Sequence, residues 1–320
     1  MNEMLSVIMP IYNEMEISVG VERTIHVMEN AGIPYELILV DDGSTNDSWN
    51  QMTDLAKQYE TITAIALSRN FGKEKALCAG LDEANGGCCL CIDSDMQHPP
   101  EMIPEMYRLW KTEDYEVVEG VKNARIKENP LYRFCAKSFY SFLKKMSGID
   151  LQNASDFRLL DRKALEAWRA MPEKETFFRG MSSWIGFRRT QVYFDVSERT
   201  IGTSKWSVKG LIALAIDAIT SYSSIPLYFA SGFGILFLLF FFIMLIQTIY
   251  MKANGHAQSG FTTVIILQLI IGTVTMINIG IIGIYIKKIY EETKNRPRYI
   301  IRKIVKGRKS KNENEHDNDE

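Results

Sequence analysis

Two aspartates one residue apart, Asp93 and Asp95, follow a short apolar run ending at Ile92. Carboxylates this close repel one another unless a cation or a donor-rich ligand neutralises them. Hard oxygen ligands of this kind suit Mg²⁺ or Mn²⁺, ions that bridge protein carboxylates to substrate phosphates. A lone D-x-D is also common in solvated turns and helix caps. Its place after a strand, with Gln97-His98-Pro99-Pro100 opening a helix, favours the metal reading. Further carboxylates and amides cluster in Pro10-Ile11-Tyr12-Asn13-Glu14, Asp41-Asp42-Gly43-Ser44 and Ser68-Arg69-Asn70, again just after apolar runs.

The elements that position these clusters follow from hydrophobic period. Leu5–Met9, Glu36–Val40, Thr63–Leu67, Cys89–Ile92 and Glu116–Val118 read as strands, and segments near 16–31, 46–59, 73–85 and 99–112 as helices. That alternation predicts an α/β fold, a mostly parallel sheet covered on both faces. Ligands of such sheets bind at the C-terminal ends of the strands, where the acidic clusters lie. No G-x-G-x-x-G follows the first strand and no P-loop is present, which argues against a dinucleotide-binding domain.

Bulk composition narrows the partners. A net charge of −2 over 320 residues gives no polycation field, so nucleic acid is not expected. Five cysteines, three of them in Cys88-Cys89-Leu90-Cys91, form no disulfide framework and read as small apolar strand residues in a reducing compartment. The N-terminus lacks the pattern of a secretory signal, so the first domain is expected in the cytoplasm. Pro226–Met251 and Ala257–Ile286 carry no charge, and each exceeds the about 20 residues that span a bilayer. Eleven lysines and arginines between Lys287 and Lys311 put the following tail inside. The expected division is 1–205 catalytic domain, 206–224 juxtamembrane helix, 225–289 two-helix hairpin and 290–320 a basic, then acidic, cytoplasmic tail. Val208, Leu211, Ile212, Ala215, Ile216 and Ile219 recur at helical spacing, which suits a helix lying on the bilayer or docked on the catalytic domain.

The acidic motifs, Ala154-Ser155-Asp156-Phe157-Arg158, Ile201-Gly202-Thr203-Ser204-Lys205-Trp206 and the two spans together resemble glycosyltransferase family 2. The likeness is to its polyprenyl-phosphate branch, which includes dolichol-phosphate mannose synthases and bactoprenol glucosyltransferases. The resemblance implies a GT-A fold. It also implies inverting transfer from a nucleotide-sugar donor to a polyprenyl phosphate, undecaprenyl phosphate in bacterial members, at the cytoplasmic membrane face. It places Pro10, Tyr12, Glu14, Asp42 and Asp93 on the donor, and Asp93, Asp95 and Gln97 on the metal and diphosphate. Asp156 falls at an acceptor-side carboxylate, a base or a positioning group, with structural pairing to Arg158 as the plain alternative. A phosphate monoester, with a second pKa of about 6, is already mostly dianionic and hardly needs a base. Arg125, Arg133, Arg199, Ser204 and Lys205 are candidates for acceptor or diphosphate contacts, and 125–129 reads as a flap over the donor. Homo-oligomers occur in the branch. Uridine and guanosine donors both stay open, as does the sugar. A polysaccharide synthase is disfavoured because Q-x-x-R-W and further spans are missing, and a non-catalytic membrane partner remains the alternative from another class.

Overall fold

The computed structural model describes residues 3–123, 154–171, 173–174, 176–195, 220, 225–254 and 260–307. They belong to two compact units, an α/β unit that includes Arg296 onwards and a helical unit.

The α/β unit begins with strictly alternating elements. Strand β1 (Leu5–Ile11), helix α1 (Ile17–Asn30), β2 (Tyr35–Asp41), α2 (Ser48–Gln58), β3 (Ile62–Leu67), α3 (Lys73–Glu83) and β4 (Cys88–Cys91) follow one another. A short 3-10 turn leads into α4 (Ile103–Glu113) and β5 (Val117–Lys122), close to the elements expected from periodicity. Beyond them lie β6 (Ala154–Asp161), α5 (Arg162–Arg169), α6 (Phe178–Trp184) and β7 (Arg189–Phe194). With a C-terminal strand β8 (Ile301–Lys306), the sheet order is β7-β5-β6-β4-β1-β2-β3-β8. β1 to β4 are parallel, whereas β6 runs antiparallel to both β4 and β5.

Because side chains alternate across a strand, the sheet feeds two cores. Leu5, Val7, Met9 and Ile11 of β1 pack on the face that holds Val21, Met28, Met52 and Met106. Ile8, Ile38 and Val40 pack on the other, with Leu77, Leu81, Leu165 and Trp168. In β6, Phe157 and Leu159 join the first core and Leu160 the second. Asp156 and Arg158 therefore share the face of Leu160. Cys88 and Leu90 lie on one face and Cys89 and Cys91 on the other, all four cysteines among the described residues being free and buried. Burial pushes the Cys89 thiol up to about 12, so it stays an inert apolar group.

The helical unit holds α7 (Ile225–Ala253) and α8 (Phe261–Thr293), both long and apolar enough to cross a membrane, with no part of their most apolar windows buried in protein. The tail expectation for 290–320 omitted an element. Ile301–Lys306 forms β8 and pairs antiparallel with β3, from Thr63–Lys306 to Leu67–Ile301. Arg298 donates to Glu173 O at 2.8 Å, and Tyr299 to Asp82 at 2.6 Å. The chain thus leaves the α/β unit for the hairpin and returns to it, so the number of crossings is even. With the positive residues after α8, the α/β unit faces the cytoplasm. Arg302 and Lys303 on the outermost strand also discourage edge-to-edge pairing with other chains.

Candidate active site

The acidic loops meet at the C-terminal ends of β1, β2 and β4. Pro10 is buried near the end of β1, where the ladder to β4 has already stopped at Ile8–Cys91, so its missing N–H removes no bond there. Its carbonyl accepts from Ser94 Oγ at 3.2 Å. Asn13 adopts a positive φ of 53°, a conformation that asparagine tolerates better than most residues. Its side-chain oxygen accepts from Thr45 N at 2.8 Å, and its own N–H donates to Ser44 Oγ at 2.9 Å. These bonds fasten the loop carrying Tyr12 and Glu14 to the loop after β2. Tyr12 stands half exposed at its rim.

Asp42 is held differently from the other acids. Its carboxylate accepts from Phe71 N at 2.7 Å and Gly72 N at 2.9 Å. Burial raises its pKa, and those two N–H groups pull the other way. The neighbouring Gly43 has φ +71°, and a Cβ there would sit 2.4 Å from the Arg69 carbonyl carbon, so only glycine permits this approach. Asp42 therefore fixes the start of α3, whose first residue is Lys73.

Asp93, Asp95 and Gln97 lie on one turn. Asp95 accepts from Gln97 Nε2 at 2.8 Å and from Gln97 N at 3.2 Å. Met96 between them has φ +59°, which costs a residue with a Cβ roughly 1–2 kcal/mol and marks a turn held by its surroundings. His98 is buried, stacks on Phe157 at 5.3 Å and meets Phe194 edge-on at 5.6 Å. Burial lowers its pKa to about 4 even though Asp93 opposes the shift, so the ring is neutral. Its Nδ1 accepts from Asp93 N at 3.3 Å, which orients the turn. Glu14 has a raised pKa, first from burial and then from repulsion by Asp95, with Asp93 adding to it.

This convergence of oxygen ligands fits a divalent cation. Among the described residues no three His, Cys, Asp or Glu side chains form a complete cage. Two carboxylates and an amide would leave coordination positions to water and substrate oxygens, as Mg²⁺ prefers.

Beyond Asp93 the charge changes sign. Lys73 Nζ lies 2.6 Å from Asp93 Oδ1 and 2.5 Å from Asp156 Oδ2. Arg179 of α6 grips the same Asp156, Nε to Oδ1 at 2.6 Å and Nη2 to Oδ2 at 3.0 Å. Burial alone would raise the Asp156 pKa, but Lys73 and Arg179 outweigh it and hold the carboxyl well below the usual range. Such a carboxylate is a poor proton acceptor and a good anchor. The alternative pairing of Asp156 with Arg158 is not what forms. Arg158 is buried and pairs with Glu119 at 3.3 Å, while donating to Arg179 O at 3.2 Å and to Ser182 Oγ. Lys122, at the end of β5, feels Asp93, Arg179, Asp95 and Lys73, and burial lowers its pKa first.

The structure thus gathers Glu14, Asp93, Asp95, Gln97 and Asp156 around one cleft, with Pro10, Tyr12 and Asp42 shaping its walls. Arg125, Arg133, Arg199, Ser204 and Lys205 lie outside the described residues, as does the 206–224 segment apart from Thr220. Lys73, Lys122 and Arg179 were not singled out from sequence. One signal was available for Lys73, which opens the helix expected over 73–85, where the helix dipole disfavours cations. No helix was expected around Arg179, which the structure places in the first turn of α6.

Comparison with known proteins agrees with this architecture. Residues 6–169 match the family described as glycosyl transferase family 2. An uncharacterized glycosyltransferase, sll0501, of Synechocystis sp. is 37% identical over 303 residues, covering 93% of this chain and 94% of its own. A prophage bactoprenol glucosyl transferase homolog of Escherichia coli (strain K12) is 33% identical over 308 residues, covering 94% and 99%. Glucosyl-3-phosphoglycerate synthase from Mycobacterium tuberculosis, solved with uridine diphosphate, shares the fold at TM-score 0.50 and 20% identity, over 69% of this chain and 79% of that one. The chain belongs to glycosyl transferase family 2 and is a membrane-anchored glycosyltransferase.

Proposed function

We propose that the chain transfers a sugar from a nucleotide-sugar donor to the phosphate of a polyprenyl phosphate, undecaprenyl phosphate, at the cytoplasmic face of the membrane. The observation that carries this reading is the joining, in one chain, of a cleft acidic on one side and cationic on the other to a two-span hairpin. The similarity to bactoprenol glucosyl transferases, which runs along nearly the whole chain, supports it.

In this reading residues 1–205 form the catalytic domain, 206–224 the juxtamembrane helix and 225–289 the anchor. Of the remaining residues, Ile301–Lys306 completes the catalytic sheet. Pro10, Tyr12, Glu14 and Asp42 shape the nucleotide side. Asp93, Asp95 and Gln97 hold Mg²⁺ or Mn²⁺, which when bound supplies Lewis-acid stabilisation of the departing diphosphate. Arg199, Ser204, Lys205, Arg125 and Arg133 contribute phosphate contacts. A phosphate oxygen attacks the anomeric carbon opposite the leaving group. The bond to the diphosphate breaks as the new one forms, its electron pair leaves with the nucleoside diphosphate, and the configuration inverts. Because the acceptor has a second pKa of about 6, its dianion reacts without losing a proton.

The test is purified full-length protein in detergent with undecaprenyl phosphate, Mg²⁺ or Mn²⁺ and a panel of nucleotide sugars, with lipid-linked sugar read by mass spectrometry. One donor should give product that disappears with EDTA. No product from any donor would overturn the reading.

A further inference from the structure

We propose that Lys73 and Arg179, held side by side by the buried carboxylate of Asp156, form the cradle that receives the acceptor's phosphate. This rests on the transfer reading above and names the side chains that meet its second substrate.

The burial pattern gives the cradle a direction. The Asp156 side chain is 4% exposed, whereas Lys73 and Arg179 keep 40% and 36% exposure. The anchor is thus inside and the cations face outward. Arg179 directs Nε and Nη2 at Asp156 and leaves Nη1 without a partner among the described residues. A planar guanidinium with a free edge suits a phosphate oxygen. Lys73 touches both Asp156 and Asp93, so an anion on Lys73 adjoins the side of the cleft assigned to the donor. A divalent cation on Asp93 would take over the partner that Lys73 now shares, leaving Asp156 as the one carboxylate that both cations touch. Both cations also stand in the first turns of their helices, against the dipole, a placement that fold stability alone disfavours.

The test uses full-length protein and two readouts. The first is calorimetric binding of farnesyl phosphate in the presence of UDP. The second is the KM for undecaprenyl phosphate against the KM for the nucleotide sugar. Arg179→Ala and Lys73→Ala each leave Asp156 with one cation, so the buried carboxylate stays paired. Each should weaken farnesyl phosphate binding by about 30-fold, as expected for losing a charge-assisted contact. Acceptor KM should rise in step while donor KM stays within about twofold, and Arg179→Lys should recover part of the loss. Unchanged farnesyl phosphate binding, or equal rises in both KM values, would overturn the cradle and leave a purely structural triad. Wild-type protein that binds farnesyl phosphate through these residues yet makes no lipid-linked sugar would instead overturn the transfer reading.

Discussion

The two halves of the cleft hold charge in opposite ways. On one side Glu14, Asp93 and Asp95 crowd together, their repulsion adding to the burial that raises the Glu14 pKa, and Lys73 touches Asp93. On the other, one buried carboxylate, Asp156, serves two cations, Lys73 and Arg179. A group of like charges waits for a cation, and a carboxylate with surplus cations waits for an anion. The imbalance on each side is therefore the signature of what arrives there, and Lys73 is the side chain shared between the two.

Removing the acidic half should have the largest effect. Asp95→Ala is expected to lower kcat by about a thousandfold or more, because the ion's stabilisation of the leaving diphosphate is lost. Thermal stability should barely change, since the hydrogen bonds of Asp95 stay within its own turn, to Gln97. Full activity in this variant would remove the cation from the acidic half and end the contrast.

Asp42 offers a way to sharpen it. Family resemblance places this residue on the donor, whereas its carboxylate accepts from Phe71 N and Gly72 N, just ahead of Lys73. Phe71 N binds Oδ1 and Gly72 N binds Oδ2, so an amide would set its NH2 donors against one of the two N–H groups. Asp42→Asn should thus cost about tenfold in kcat/KM, and the acceptor KM should rise along with the donor KM. A change confined to donor KM would show that Asp42 does not act through the Lys73 helix.

The same contrast explains what was legible in the sequence. The donor half is local: Asp41-Asp42, Asp93 and Asp95 each follow a strand whose apolar run is unmistakable, so strand ends and acidic loops could be read together. The cationic half is assembled from residues far apart in the chain. Lys73 and Arg179 meet only because β6 runs antiparallel beside β4 and turns Asp156 towards α3 and α6. Strand β6 itself is hard to read, since Asp156, Arg158 and Asp161 break its apolar pattern although Asp156 and Arg158 are buried. Strand β8 was hidden for another reason. Arg302, Lys303 and Lys306 look like a basic tail, and only pairing with β3 makes the segment a strand.

That hidden strand gives a third, smaller prediction, a control outside the cleft. A Cβ on Gly307 would lie 2.3 Å from the Tyr59 carbonyl oxygen, so Gly307→Val must displace the end of β8. The melting temperature should fall by about 3 °C, with both KM values unchanged. A selective rise in acceptor KM would mean that the sheet edge, too, shapes the cationic half.

The smallest expected effect concerns Glu74, the acid beside the two cations. Burial and repulsion from Asp156 on β6 raise its pKa from 4.5 to about 7, while Phe178 N, Arg179 on α6 and Lys73 on its own helix oppose the shift. Its carboxylate accepts from Phe178 N at 2.8 Å and so ties α3 to the start of α6. A raised pKa means that the folded chain keeps a proton that the unfolded chain releases. The stabilisation is complete below about pH 4.5 and is lost as pH rises through about 7. Glu74→Gln cannot ionise, and its amide oxygen still accepts from Phe178 N. The variant should match the parent near pH 4.5 and melt about 2 °C higher at pH 8, as read by scanning fluorimetry across that range. A difference that did not vary with pH would show that Glu74 does not titrate in this window, and that Asp156 is not its dominant charged neighbour.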